Sequence, residues 1–181
     1  MGLDLMAEIQ VDHNNVKDLY QRFKDAFDRR DEDSMNKIAN TIIRETSLHS
    51  DAEELSVYKT LERHGLKDVA DGDRQEHQEV KELVSKLDYT SISRAGMSTY
   101  AEIVDNAMSR FIKHSDLNED ENHKAAEDFL QALKVAPTHS HPSAPQSGGA
   151  AQKAAAMALD EGIDETRNFV DLKYVHGVPA S

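Results

Sequence analysis

From about Ala7 to Arg29 the chain sets His13, Val16, Tyr20, Phe23 and Phe27 at alternating three- and four-residue steps, with charged residues between them. That spacing turns all five toward one side of an α-helix, because residues three and four apart share a face. The pattern recurs three times. A second segment, about Ser34 to Arg63, carries Met35, Ile38, Ile42, His49, Glu53 and Val57, and a third, about Lys67 to Leu87, carries Ala70, Asp73, His77, Val80, Val84 and Leu87. The fourth, from near Gly96 to about Leu133, carries Met97, Tyr100, Val104, Ala107, Phe111, His114 and Asn118. Breaks separate the four: "DEDS", whose acids and serine suit the start of a helix, then "HGLKD" and "DYTSIS". Short connections between such helices predict an all-α, up-down-up-down four-helix bundle.

Beyond Val135 the periodicity stops. "APTHSHPSAPQSGGAAQ" holds all but one of the prolines and two adjacent glycines, which predicts a Pro-rich strap across the surface. An additional Ala-rich C-terminal helix is expected from about Gln152 to Leu172, with Met157, Ile163 and Val170 available for docking, and "VHGVPAS" reads as a loose tail. The chain thus divides into a bundle over 1–136 and a strap, helix and tail over 137–181.

Length and charge narrow the possibilities. A chain of 181 residues builds one domain with its own core. With 34 acidic side chains against 21 basic ones, the net charge of −13 repels phosphate backbones and anionic membranes, so nucleic acid is a disfavoured partner. The sequence has no Cys, which leaves His and carboxylates as the only side chains to hold a metal. The start "MGLDLMAEIQ" lacks the basic and long apolar regions of a signal peptide and has Met6 where myristoylation would want Ser or Thr. No apolar stretch approaches the roughly 20 residues needed to span a bilayer. A soluble cytoplasmic protein is expected.

The histidines then change the picture. His13, His49, His77 and His114 each fall on the inner stripe of a different helix, and every buried imidazole requires partners for both ring nitrogens. At about 1.5 Å rise per residue, the midpoint of His49 and Glu53 lies about 18 Å from the loop that joins the second and third helices, and His77 about 15 Å from the same loop. His13, near the start of the first helix, and His114, late in the fourth, come to the same end of an antiparallel bundle. One layer can hold all four. Glu53 lies one turn after His49 and Asp73 one turn before His77, so two helices each offer an imidazole with a carboxylate. That donor set suits one or two iron or manganese ions, and two are favoured because a carboxylate can bridge them.

"DHNNVKDLYQRF", "IRETSLHSDAEELSVY", "DRQEHQEVKELV" and "RFIKHSDLNEDE", in that order, resemble the hemerythrin family, the HHE cation-binding domain, over roughly residues 9 to 135. "PTHSHPSAP" is similar to the strap that follows the bundle in many relatives. The resemblance implies a four-helix bundle around two oxo- or hydroxo-bridged iron ions, with Mn or Zn as substitutes, that meet dioxygen. By position it implies His13, His49, Glu53, His77 and His114 as ligands. Dioxygen carriers of the family have a His where Asp73 stands. The resulting carboxylate-rich site favours the higher oxidation state, hence redox turnover, sensing or iron handling over bulk oxygen transport. For the last carboxylate, Asn118 occupies the usual fourth-helix position, so Glu119 is favoured, with Glu121 and Asn118 behind it.

The remaining candidates are plainer. Glu54 faces away from the stripe and is expected in solvent. His64, beside Gly65, reads as a helix cap. His123, His139, His141 and His176 lie outside the layer, "THSH" reads as linker, and Tyr20 and Tyr100 as packing residues. The expected function is that of a di-iron protein reacting with dioxygen, peroxide or nitric oxide. One alternative is a di-iron oxidase or oxygenase, an oxidoreductase with a substrate cavity beside the metals. Another is a metal-stabilised bundle that docks a partner. Any turnover needs an outside electron donor, since no flavin or haem signature is present.

Overall fold

The computed structural model describes residues 5–63, 65–114, 130–132, 134, 136 and 162–177. Its helices are α1 (Leu5–Asp28), α2 (Glu32–Leu55), α3 (Val57–Arg63), α4 (Lys67–Asp88), α5 (Ile92–Ala95) and α6 (Met97–His114). α1 packs on α2, α2 on α4, α4 on α6 and α6 back on α1, which closes the ring of a four-helix bundle. Among the described residues there is no strand, and no helix is long and apolar enough to cross a membrane.

Asp31 starts α2, its Oδ1 accepting from the Ser34 backbone N–H at 3.1 Å. The single second helix read from the sequence is two, α2 and α3, broken at Ser56. There the backbone angles leave helical values, at φ −121 and ψ −66, and the Ser56 N–H is shared between the Ala52 and Glu53 carbonyls at 3.1 and 3.3 Å. The break re-aims α3 and its first residues. Residues five apart lie about 140° around an unbroken helix, yet the Tyr58 hydroxyl reaches Glu53 Oε2 at 3.3 Å.

In α1 the buried stripe keeps His13, Val16 and Phe23 of the expected five and takes Leu19 and Ala26 in place of Tyr20 and Phe27. Leu19 and Ala26 are fully buried, whereas Tyr20 and Phe27 are half-buried, and the Tyr20 hydroxyl donates to Asp105 of α6 at 2.9 Å. α4 buries all six expected positions. Beyond His114, the rest of the fourth segment up to residue 129, with Asn118, Glu119 and Glu121, lies outside the described residues. So do His64, His123, the strap at 137–149 with His139 and His141, and the start of the C-terminal helix.

The end of the chain departs from expectation. Residues 162–164 are helical, but 167–172 are not, because their backbone groups bond to the bundle instead of to one another. Val170 N–H donates to Thr41 Oγ1 at 3.0 Å, and the carbonyls of Asn168 and Asp171 accept from Asn40 and Arg22. The expected loose tail is also held as far as Gly177. Asn15 exchanges two bonds with the Tyr174 backbone, and Gly177, at φ +77, donates its N–H to Glu8 at 3.0 Å.

Two apolar clusters fill the bundle. Leu5, Ile9, Ala52, Val57, Tyr58 and Ala70 form the smaller one at one end. The larger one runs from Val16 to Phe111 across α1, α2, α4 and α6. Between them, at one height on every long helix, lie His13, His49 with Glu53, Asp73 with His77, and His114, all buried.

Candidate metal centre

Polar side chains at this depth carry a desolvation cost that only partners offset. His49, Glu53, His77 and His114 each present a ligand atom, and these four atoms lie within 4.8 Å of one another. His13 joins them, its Nε2 at 3.1 Å from His49 Nε2, and on the other side His77 Nε2 and His114 Nε2 are 2.8 Å apart. Glu53 sits between the pairs. Its Oε1 is 3.5 Å from His49 Nε2, while its Oε2 is 3.2 Å from His77 Nε2 and 3.8 Å from His114 Nε2. Asp73, one turn before His77, is buried with its charge facing His114, Glu53 and His77, and burial pushes its carboxyl up.

The Nδ1 sides of the rings show why the Nε2 atoms converge. His49 Nδ1 is 3.2 Å from Asp12, His77 Nδ1 is 3.5 Å from Glu54, and His114 Nδ1 is 3.0 Å from Glu76. An ionised carboxylate only accepts, so each of these rings holds a proton on Nδ1, which leaves Nε2 as the nitrogen turned inward, the one that gives up its proton or lone pair to a bound cation. The pattern passes around the bundle: α1 supplies the carboxylate for α2, α2 for α4, and α4 for α6. Burial works against charge on Asp12, Glu54 and Glu76, yet all three carboxyls stay below their usual range, held by imidazoles, by Lys81 at Glu54 and by Arg110 at Glu76.

Two nitrogens bound to one divalent ion at about 2.0–2.1 Å lie about 3 Å apart when roughly at right angles. Both imidazole pairs meet that spacing, and each faces a different oxygen of Glu53. The electrostatics agree. Burial pulls His13 down to about 3, and it also disfavours the Glu53 anion, but the surrounding imidazoles hold that carboxyl well below its usual range. Burial likewise disfavours the His77 cation, yet Glu53 and Glu54 lift it to about 9. Positive charge is therefore favoured beside Glu53, though not at His13, and the donor set fits cations of the iron, manganese or zinc type. Phe111 closes the layer from the larger cluster, its ring 5.7 Å from those of both His13 and His49.

Several residues here are not apparent from the sequence. Glu54, expected in solvent, is buried against His77 and Lys81, because α4 packs over that side of α2. Asp12, Glu76 and Tyr58 do not fall on the inner stripes, although Asp12 and Glu76 each stand immediately before a stripe histidine, which is the signal that could have found them. His176, placed outside the layer, touches it indirectly through Asp12. Glu119, Glu121 and Asn118 lie outside the described residues.

Fold and site together define a helical bundle with a buried His/Glu metal-ligand cluster. The sequence matches the family described as Hemerythrin HHE cation binding domain over residues 4–134. It is also 31% identical, over 88% of this chain and 83% of the other, to an uncharacterised hemerythrin-like protein of Schizosaccharomyces pombe. No solved structure matches it. The chain belongs to the hemerythrin family.

Proposed function

We propose that the layer holds two iron ions, one shared by His13 and His49 and one by His77 and His114, with Glu53 bridging them. The observation that carries this is the division of four Nε2 atoms into two close pairs, each directed at its own Glu53 oxygen. Asp73 adds a carboxylate beside the His77 pair. When bound, such an ion pair supplies electrons to dioxygen, peroxide or nitric oxide. The chain's own residues orient the imidazoles through Asp12, Glu54 and Glu76 and exclude bulk water with Phe111 and the two apolar clusters. Tyr58, whose hydroxyl lies 3.0 Å from His77 Nε2 and 3.3 Å from Glu53 Oε2, sets a proton donor at the inner edge of the site.

With a carboxylate in place of a further imidazole, the centre favours the oxidised state, which supports redox turnover, sensing or iron handling over bulk oxygen transport. The setting is a soluble, cytoplasmic one, with electrons supplied by an external donor.

The test is iron content and near-ultraviolet absorption of protein produced with iron, beside a His77→Ala variant whose folding is checked by circular dichroism. Two iron ions per chain and a ferric absorption band are expected, with at least one ion and most of the band lost in the variant. A folded variant with unchanged iron content overturns the reading.

A further inference from the structure

Each carboxylate behind a layer imidazole is itself held by a cation, and the three cations come from different places. Lys81 lies 2.9 Å from Glu54, and Arg110 lies 3.6 Å from Glu76; both belong to the bundle, on α4 and α6. The third is His176, on the C-terminal segment. Its Nε2 is 2.6 Å from Asp12 Oδ1 and its Nδ1 is 2.9 Å from Glu8 Oε2. Both ring nitrogens face carboxylates, so both donate and the ring is an imidazolium. Burial acts against that charge, but Asp12 and Glu8 hold it to about 9.

The need for it arises in α1. Glu8 and Asp12, four residues apart on one helix face, are 2% and 4% exposed, and like charges at that spacing repel. Glu45 adds a third buried carboxyl whose charge faces both Asp12 and His176. The imidazolium of His176 divides Glu8 from Asp12 and leaves Asp12 Oδ2 directed at His49 Nδ1, 3.2 Å away. Without it, Asp12 would face two acids with no cation beside it and would lose its fixed position behind His49.

We propose that His176 is a positioning residue for the metal centre: by clamping Asp12 against His49, the docked C-terminal segment completes the metal position shared by His13 and His49, whereas the bundle alone completes the one shared by His77 and His114. The segment is suited to this because it is held mainly by hydrogen bonds to α1 and α2 side chains, with Val170 among its few apolar anchors. Such segments open locally without unfolding of the core. Docking and metal occupancy are then coupled, and the coupling is reciprocal. The inference rests on the dinuclear reading of the layer.

The full-length chain is loaded with zinc and challenged with an excess of a chromophoric chelator. In His176→Ala one of the two ions is expected to leave about tenfold faster than in the wild type, the scale at which outer hydrogen bonds act on a metal site, while the other keeps its rate. His176→Gln, which retains one donor but no charge, falls between. In the same samples the His49 Nδ1 proton, followed by NMR, is slow to exchange in the wild type and fast in His176→Ala, with the His77 and His114 ring protons unchanged. Unchanged release of both ions overturns the inference, as does equal acceleration of both with a lowered melting temperature, which would mark His176 as structural only. A wild type that takes up fewer than two ions overturns the dinuclear reading instead, and the His49 proton then decides whether His176 fixes Asp12.

Discussion

Buried charge in this molecule is tolerated residue by residue, through partners whose removal has calculable effects. Lys81 Nζ lies 2.6 Å from Asp51 and 2.9 Å from Glu54, with only 8% of the Lys81 side chain and 3% of the Glu54 side chain exposed. Taking one partner from a buried pair leaves the other uncompensated at a cost of about 3–5 kcal/mol. Lys81→Ala should therefore lower the melting temperature by roughly 6–20 °C for a chain of this size. Adding Glu54→Gln to Lys81→Met should recover part of that, since the more deeply buried acid then carries no charge and only the more exposed Asp51 is left without its cation; thermal denaturation followed by circular dichroism checks both. Glu45 behaves in the opposite way. Burial pushes its carboxyl up from 4.5 to about 7, with Arg44 offsetting only part of the effect. The folded state therefore holds the Glu45 proton more tightly than the unfolded chain, and stability is lost as pH rises from about 4.5 through about 7. Glu45→Gln should match the wild type in urea titrations near pH 4 and exceed it by about 1–3 kcal/mol at pH 8, where the native side chain is charged and buried.

At the scale of helices, hydrophobic spacing located the rods and left their rotation loose. In α1, Tyr20 and Phe27 fit the three-and-four pattern as well as Leu19 and Ala26 do, and only packing against α2 and α6 decides which face turns in. The decision is testable. Leu19→Ala should cost about 2–5 kcal/mol by opening a cavity in the larger cluster, whereas Tyr20→Phe forfeits one exposed hydrogen bond to Asp105 and should cost about 1 kcal/mol or less, as urea unfolding would show. A reversed order would place the stripe where the spacing alone puts it. α4 was legible throughout because Ala70, Asp73, His77, Val80, Val84 and Leu87 leave no competing face. The break at Ser56 was not, since it is a change in one residue's backbone angles, which periodicity does not register. The convergence of His13, His49, His77 and His114 with Glu53 followed from helix rise and an antiparallel path. Asp12, Glu54 and Glu76 lie one residue off those stripes and serve the neighbouring helix, so their role depends on which helices touch. His176 is still less visible from sequence, because its contact with Asp12 spans 164 positions.

Taken whole, the molecule places its most costly polar layer between two apolar clusters. Hydrocarbon on both sides keeps water from solvating Glu53 and the imidazoles, so the layer's charge balance becomes part of the stability of the fold. A cation that binds only the folded arrangement should stabilise it by about 3–4 kcal/mol when its free concentration is 100 to 1,000 times its dissociation constant. For a chain of this length that amounts to a rise in melting temperature of roughly 6–16 °C. Ferrous iron, manganese and zinc should all produce it, because neutral imidazoles with carboxylates suit borderline divalent ions. Magnesium at the same concentration should not, since it prefers an octahedron of oxygens and gives up its water reluctantly. The net charge of −13 would attract any dication to the surface, so magnesium also controls for screening. A melting temperature that rises equally with magnesium and with zinc would mean that surface charge, and not the buried layer, receives the ion. Selective stabilisation that disappears in His77→Ala would locate the effect in the layer itself.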